Sequence, residues 1–435
     1  MDVRILIIAA ALSAAAAPVA AQDLTARGDT FALVRAVAVA RAANPRIAAA
    51  TAEVRAAGAR IGPAGALPDP QLSFGLMNRM LPGFGTGDPV TMNQVSLTQM
   101  VPVNGSLGWR RRAVRFDSTR VAWSRHATAL DVERDVRSRY WDLYHTDRAL
   151  EIMDRTLGVL RDLASISGTM YAVGQTVQSD VVRSQVAVTR MQQEIVEMRL
   201  MRYAAAASLN ALLARPGDAA LVLPRPPHAE HGALVQALEL PPLPSLDSLQ
   251  GLADSGNPEL LGASAAVRGA QANETVVRRM LYPDLELGVA YGRRPPTDNM
   301  VSLMVGVSVP VFARSRQLRM RDEAGAMREA ASQEQRMRRL EVHSMLATAL
   351  AEAQTARAQV ELYRGSLLPQ AIASYEAALA AYRVGRVDFP TALDARMALL
   401  QYQHDLHRYE AMFGTAIAEI DRLIGRSYGA MPWDR

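Results

Sequence analysis

The 435-residue chain contains neither cysteine nor lysine. Without cysteine it has no disulfide framework, no thiolate metal site and no thiol on which a lipid anchor could be built. All 48 basic residues are therefore arginine, and the formal net charge is +5. The arginines alternate with acids along helical stretches, as in Arg134-Asp135 and Arg321-Asp322-Glu323. Solvated helix faces are the expectation from that pattern, not a nucleic-acid surface. After residue 21 no apolar run reaches about 18 residues, so no transmembrane helix is expected. Ser-His-Asp spacing, a phosphate-cradling glycine loop and HExxH are also missing. The paired carboxylates lie on charged helices, where ion pairing accounts for them. Neither catalysis nor a cofactor is expected.

Residues 1–21 read as a secretory signal peptide. Arg4 lies in its n-region, Ile5 to Ala17 form an apolar stretch, and Val19-Ala20-Ala21 gives the small-residue cleavage site. An exported chain without a helical span is either soluble or enters a membrane as a β-barrel.

The remainder says one thing twice. Asn44-Pro45 and Asn257-Pro258 each open an Ala-rich helix, and Pro68-Asp69 and Pro283-Asp284 each start a strand-like run. Val101-Pro102-Val103 and Val309-Pro310-Val311 close the two β regions. Tyr171-Ala172-Val173-Gly174 and Tyr382-Arg383-Val384-Gly385 each interrupt a long helical pattern. Offsets of 208 to 215 residues between the paired motifs mark duplication of a whole unit. The division expected is a first repeat over 22–214, a Pro-rich connector over 215–245, a second repeat over 246–425 and a short tail over 426–435.

Residues 31–62 predict an amphipathic helix. The strand-like runs alternate with period two. Leu72, Phe74 and Leu76 oppose Gln71, Ser73 and Gly75; Val95, Leu97 and Val101 oppose Gln94, Ser96 and Thr98. Leu285, Leu287, Val289 and Tyr291 oppose Asp284, Glu286, Gly288 and Ala290; Leu303, Val305 and Val307 oppose Ser302, Met304 and Gly306. The length and dyad period are those of a transmembrane β-barrel. Four strands cannot close such a barrel, whose smallest examples have about eight. Either the sheet is an ordinary soluble one, or several copies pool their strands; a cyclic trimer would supply twelve and leave no edge. Helices from about Leu107 to Ile166 and from about Arg316 to Ala381 would each run on the order of 90 Å. Gly158 is the only interior interruption of the first, and Gly325, Gly365 and Pro369 interrupt the second. Further long helices reach about Leu213 and Ile424. Heptad-like spacing of Val136, Tyr140, Leu143 and Leu150 fits antiparallel hairpins packed side by side in a curved wall.

With these motifs in this order twice, the chain resembles the TolC-type outer-membrane efflux channels over about Phe31 to Gly425, more loosely their heavy-metal branch. The resemblance implies a mainly α protein with a small β part. Its homotrimer shares a twelve-stranded barrel in outer-membrane lipid, continued by a helical tunnel in the periplasm. The implied partners are a periplasmic adaptor (membrane fusion) protein and an inner-membrane RND-type pump. Carried over by motif, Tyr171, Val173, Gly174, Tyr382, Val384, Gly385 and Arg386 form the adaptor-docking tip. Asp394 and Thr391 take the places of the pore-constricting rings, and Asp180 that of a residue holding the tip closed. Where the family often has Leu after the turn glycine, this chain has Gln175 and Arg386; its Val387 replaces an Arg that partners the Asp180 position. Lipid-facing positions are Leu72, Phe74, Leu76, Leu285, Leu287, Val289, Leu303, Val305 and Val307.

Other readings compete. Met77, Met80 and Met92 could touch a soft metal in transit, whereas core packing suffices for Met320, Met327 and Met337. His404/His407 and His228/His231 lack further ligands and read as surface residues. The substrate is left open between heavy-metal cations, drugs or organic compounds and a type I secretion substrate. From another class, an exported coiled-coil structural protein would need no threefold closure. A general porin fails, because four strands leave most of the chain unused.

Overall fold

The computed structural model describes residues 31–79, 90–224, 240–294 and 298–427. The expected signal peptide, Met80, His228 and His231 lie outside them. Helices α1 (Leu33–Ala43), α2 (Pro45–Ala59) and α3 (Ile61–Ala64) lead to strands β1 (Gln71–Met77) and β2 (Met92–Val101). The long helices α4 (Ser106–Ala172) and α5 (Gln178–Leu212) complete the first repeat. Its copy comprises α6 (Leu246–Gly256), α7 (Pro258–Arg279), β3 (Asp284–Arg293), β4 (Met300–Ser308), α8 (Gln317–Leu362), α9 (Leu368–Arg383) and α10 (Phe389–Ile424). The single helix expected over 31–62 is thus three: Pro45 stops α1 and opens α2, and a second break at Arg60 sets off the short α3.

Helix contacts place α4 between α2 and α7 along one half of its length and between α5 and α10 along the other. Next to α7 and α10 comes α8, which runs past both. The wall therefore has two continuous staves, α4 and α8–α9, and two made of stacked pieces, α2 on α5 and α7 on α10. The Asn-Pro motifs join the pieces. Asn257 Oδ1 accepts from the N–H groups of Glu259 (2.8 Å) and Leu260 (3.1 Å), capping α7. Its Nδ2 donates to the Leu423 carbonyl (2.8 Å), one of the orphan acceptors at the end of α10. Asn44 repeats the device: Oδ1 accepts from Arg46 (2.9 Å), and Nδ2 donates to the Leu212 carbonyl of α5 (2.8 Å). Pro45 and Pro258 fit at the first helical position, where an N–H would lack an intrahelical acceptor anyway.

The antiparallel α4–α10 seam is apolar with polar rungs. Arg137 donates to Asp421 (2.8 Å), Tyr144 to Glu410 (3.1 Å) and Arg396 to Thr156 (2.6 Å). Between the first two rungs Gly414 lies flat beneath Trp141; a Cβ there would sit 2.1 Å from the indole. Glu410 is buried. Burial pushes its carboxyl up, but the hydrogen bond and charge of His407 and the charge of Arg364 prevail and hold it below the usual range. His145, whose ring meets that of His404 edge-on at 4.6 Å, is pushed down to about 4 by burial and then by His404 and His407. The expectation of surface histidines fails for His407, which is buried with Nδ1 2.9 Å from Glu410.

Gly365 and Pro369 do not break the second arm. Pro369 offers no N–H to the Gly365 carbonyl and would press its ring on it. The helix answers by widening to π geometry over Tyr363–Leu367 and continues as α9.

The four strands pair antiparallel in the order β1-β2-β3-β4. The register lays Leu72, Leu97, Val289 and Leu303 in one row, with Phe74, Val95, Tyr291 and Val301 in the next on the same face. Ser73, Ser96, Ala290 and Ser302 form a row on the other face, where the Ser73 and Ser96 hydroxyls are 2.7 Å apart. The apolar face is bare within one protomer: Phe74 is 76% and Leu303 82% exposed.

Candidate gate and docking tip

Each hairpin turns at the end of the wall remote from the sheet. After α4, the Gln175 N–H donates to the Met170 carbonyl (2.8 Å); after α9, Arg386 donates to Ala381 (2.9 Å). These closures require left-handed backbone at Gly174 (φ +76°) and Gly385 (φ +69°), which explains glycine in both motifs. Val173 and Val384 stand exposed at the apex, as does Arg386.

The two tyrosines of the repeated motif part company. Tyr171 is 48% exposed, while Tyr382 is 1% exposed, its ring 6.0 Å from Phe389 in a cluster that includes Met170, Met191 and Leu163. Tyr382 is thus an internal anchor of the tip and offers no surface for docking. Its burial follows from packing between the two hairpins, which a repeat motif alone cannot reveal.

Asp388 caps α10, its Oδ1 accepting from the Thr391 N–H (3.2 Å) and hydroxyl (2.5 Å). Those bonds hold the Asp388 carboxyl below the usual range. Sequence reading missed this cap, although Asp388-Phe389-Pro390-Thr391 carries the signal of acid, N-terminal proline and hydroxyl. Thr391 is therefore occupied locally. It shares with Asp394 an exposed face of α10, opposite buried Ala392, Arg396 and Leu399. Asp394 lines a cleft of about 330 Å³ with Val182, Arg183, Val186 and Arg190 of α5. Among the described residues no ion pair engages it. Asp180 differs: it is buried, accepting the Thr176 hydroxyl (2.7 Å) in the first turn of α5. In the single chain it braces its own turn.

The structure brings all nine residues expected to face lipid to one side of the sheet, Leu285 half-buried and the others exposed. Met77 and Met92 pair across β1 and β2 on the opposite side. Met320, Met327 and Met337, expected to be packed, are exposed along α8. Among the described residues no helix is long and apolar enough to cross a membrane, and no three His, Asp or Glu side chains group as metal ligands.

Comparison with known proteins agrees with this architecture. The chain is 24% identical over 405 residues to the cobalt-zinc-cadmium resistance protein CzcC of Cupriavidus metallidurans, covering 91% of this chain and 90% of that one. Its fold is similar to CusC (TM-score 0.76, 18% identity, 92% of this chain and 96% of that one). It is also similar to VceC of Vibrio cholerae (0.74, 15%, 91% and 97%) and to the open state of MtrE from Neisseria gonorrhoeae (0.73, 15%, 91% and 89%). The profile of the outer membrane efflux protein family matches residues 36–215 and 249–426. The chain belongs to that family, the outer-membrane efflux channels that reach into the periplasm.

Proposed function

We propose that three copies close head to tail into a twelve-stranded barrel and a helical tunnel, the exit duct of a tripartite efflux system. The observation that carries this is a matched pair of open flanks. One flank has β1 above α2 and α5; the other has β4 above α8 and α9. Open sheet edges are not tolerated in lipid. Heterologous contact of one flank with the other flank of the next copy closes a ring. Exposed apolar side chains on both flanks suit this role, such as Val186, Val196 and Leu200 on α5 and Met327, Met337 and Leu340 on α8. The duct conducts passively, fed by an inner-membrane RND-type pump through a periplasmic adaptor that docks around Val173, Gly174, Val384, Gly385 and Arg386.

Three copies of Asp394 would face one another near the tip. A ring of carboxylates favours cations. Together with the likeness to CzcC, this supports heavy-metal cations as substrate over organic compounds or a secreted polypeptide. Planar-bilayer recording tests the gate: Asp394→Ala should weaken cation preference and block by multivalent cations. Unchanged selectivity places the constriction elsewhere. Val384→Asp should lower export while trimers persist by mass measurement in detergent; a membrane-inserted monomer refutes the closure.

A further inference from the structure

Methionine is sorted between the two faces of the sheet. All five methionines on the described strands, Met77, Met92, Met100, Met300 and Met304, lie on the face away from Leu72, Phe74 and Leu303. Four of them are exposed and Met92 is half-buried. A thioether side chain is a flexible apolar filler, so a role in covering the apolar face would have placed some of them there. Their neighbours are instead serine, threonine and glycine, where sulfur offers a different property: it is a soft, uncharged ligand.

At the hairpin ends these sulfurs are already occupied. Arg294 Nη1 donates to Met300 Sδ (3.1 Å), and Met92 Sδ fills the space over Gly292, 2.7 Å from where a Cβ would stand. Nearer the helices the arrangement is open. Met100 of β2 stands directly opposite Glu286 of β3, at a Cβ separation of about 4.5–5.5 Å. On the other side of Glu286 comes Gly306 of β4, while Met304 lies one diagonal step away, opposite Gly288. The two glycines form a floor. A Cβ at 288 would meet the Met304 methyl carbon at 3.5 Å, and one at 306 would meet Glu286 Oε2 at 3.8 Å. The Met304 thioether and the Glu286 carboxylate therefore lean over the same patch of backbone. Asp284, two residues before Glu286, is held by Asn104 Nδ2 (2.8 Å). Among the described residues no hydrogen bond or ion pair engages Glu286 itself.

We propose that Met100, Glu286 and Met304 form a binding site for a soft monovalent cation, of the Cu(I) or Ag(I) class, on the polar face of the sheet. Two thioethers select such an ion by softness, and one carboxylate balances its single charge. Zn(II) draws its ligands from thiolate, imidazole and carboxylate, so only Glu286 would serve it here. The site rests on the duct reading for its place in transport: the face opposite the lipid side lines a barrel's interior. Three open, two-thioether sites around such a channel would hold an ion weakly enough to release it, as conduction requires.

Silver nitrate in chloride-free buffer is the probe, applied to the full chain in detergent. Wild type should take up one Ag(I) per protomer at this site, and excess Zn(II) should not displace it. Met100→Leu/Met304→Leu keeps side-chain volume. It should weaken that uptake by no less than the roughly tenfold that loss of a mere supporting partner costs a metal site. Glu286→Gln should weaken it severalfold, and Met320→Leu/Met327→Leu on α8 should bind as wild type does. With methyl-labelled methionine, the Met100 and Met304 resonances should shift first in the titration. Unchanged affinity in Met100→Leu/Met304→Leu, equal loss in the α8 variant, or displacement by equimolar Zn(II) overturns the site. Each protomer carries all three ligands, so binding needs neither ring closure nor current. A chain that binds silver through Met100 and Met304 yet stays monomeric in detergent overturns the duct reading and leaves the site standing.

Discussion

Replacing Gly414 with alanine adds one methyl group at the tightest point of the α4–α10 seam. Its carbon would lie 2.1 Å from Cε2 and Nε1 of Trp141 and 2.6 Å from Cδ2. Carbon contacts settle near 3.5–4.0 Å, so the indole or the helix must move by about 1.5 Å. The ring has little room. Trp141 is buried, with Tyr140 edge-on at 6.3 Å and Tyr144 at 5.3 Å. Shifting Tyr144 would also disturb its bond to Glu410. Overpacking of this kind costs about 1–3 kcal/mol. Expelling the indole altogether has a ceiling near the 3–5 kcal/mol of a tryptophan truncation. We expect Gly414→Ala to destabilise by about 2–4 kcal/mol, read as a lower guanidinium midpoint in detergent with an unchanged slope. The diagnostic is a double-mutant cycle. Trp141→Leu is destabilising alone, but adding Gly414→Ala to it should cost at least about 1 kcal/mol less than in wild type. If alanine costs the same in both backgrounds, or nothing in either, steric contact with Trp141 is not why glycine stands there.

Other substitutions probe different parts. Leu287→Arg and Val305→Arg should each destabilise the proposed barrel by about 2–4 kcal/mol, whereas Ser302→Arg on the other face should be milder; normal assembly of both former variants reverses the strand faces. Asn257→Ala removes a cap and the bond to Leu423, so about 0.5–2 kcal/mol should be lost, with faster exchange at the last amides of α10. His145 titrates near 4 when folded but near 6.5 when unfolded, so the unfolded chain binds more protons between these values. Stability should accordingly fall as pH drops from about 6.5 towards 4. In His145→Gln that slope should flatten between pH 6.5 and 5, and a slope unchanged from wild type would assign it to other groups.

Much of this fold is legible in the sequence because it is written twice. Strand faces, turn positions and arm lengths follow from local periodicity, which a reader can count. What escaped is contact at a distance. Asn44 and Asn257 read as helix openers, since their caps bind neighbours two or three residues on. Their second bonds reach partners 168 and 166 residues away, which no local pattern encodes. Tyr171 and Tyr382 occupy identical motifs, yet only packing between the two hairpins decides that one is exposed and the other buried. His407 sits on a helix that looks polar, and its burial depends on Arg364 and Tyr144 arriving from two other helices. Asp180 matches a motif position, but its bond to the Thr176 hydroxyl four residues earlier is not specified by the motif.

The joints at Asn44 and Asn257 have a consequence for length. Both lie level with the same stretch of α4, since Arg41, Ile47, Gly256, Pro258 and Gly425 surround Trp123 to Glu133. Above that level α4 and α8 are matched by α2 and α7; below it, α4 and α8–α9 are matched by α5 and α10. Turns inserted in pairs below the joint would lengthen the lower storey and leave the upper one and the sheet in register. The same holds for insertions above it. Continuous staves alone would force any such change to propagate through every neighbour at once. Butt-jointed staves let the length of the helical wall be adjusted one storey at a time.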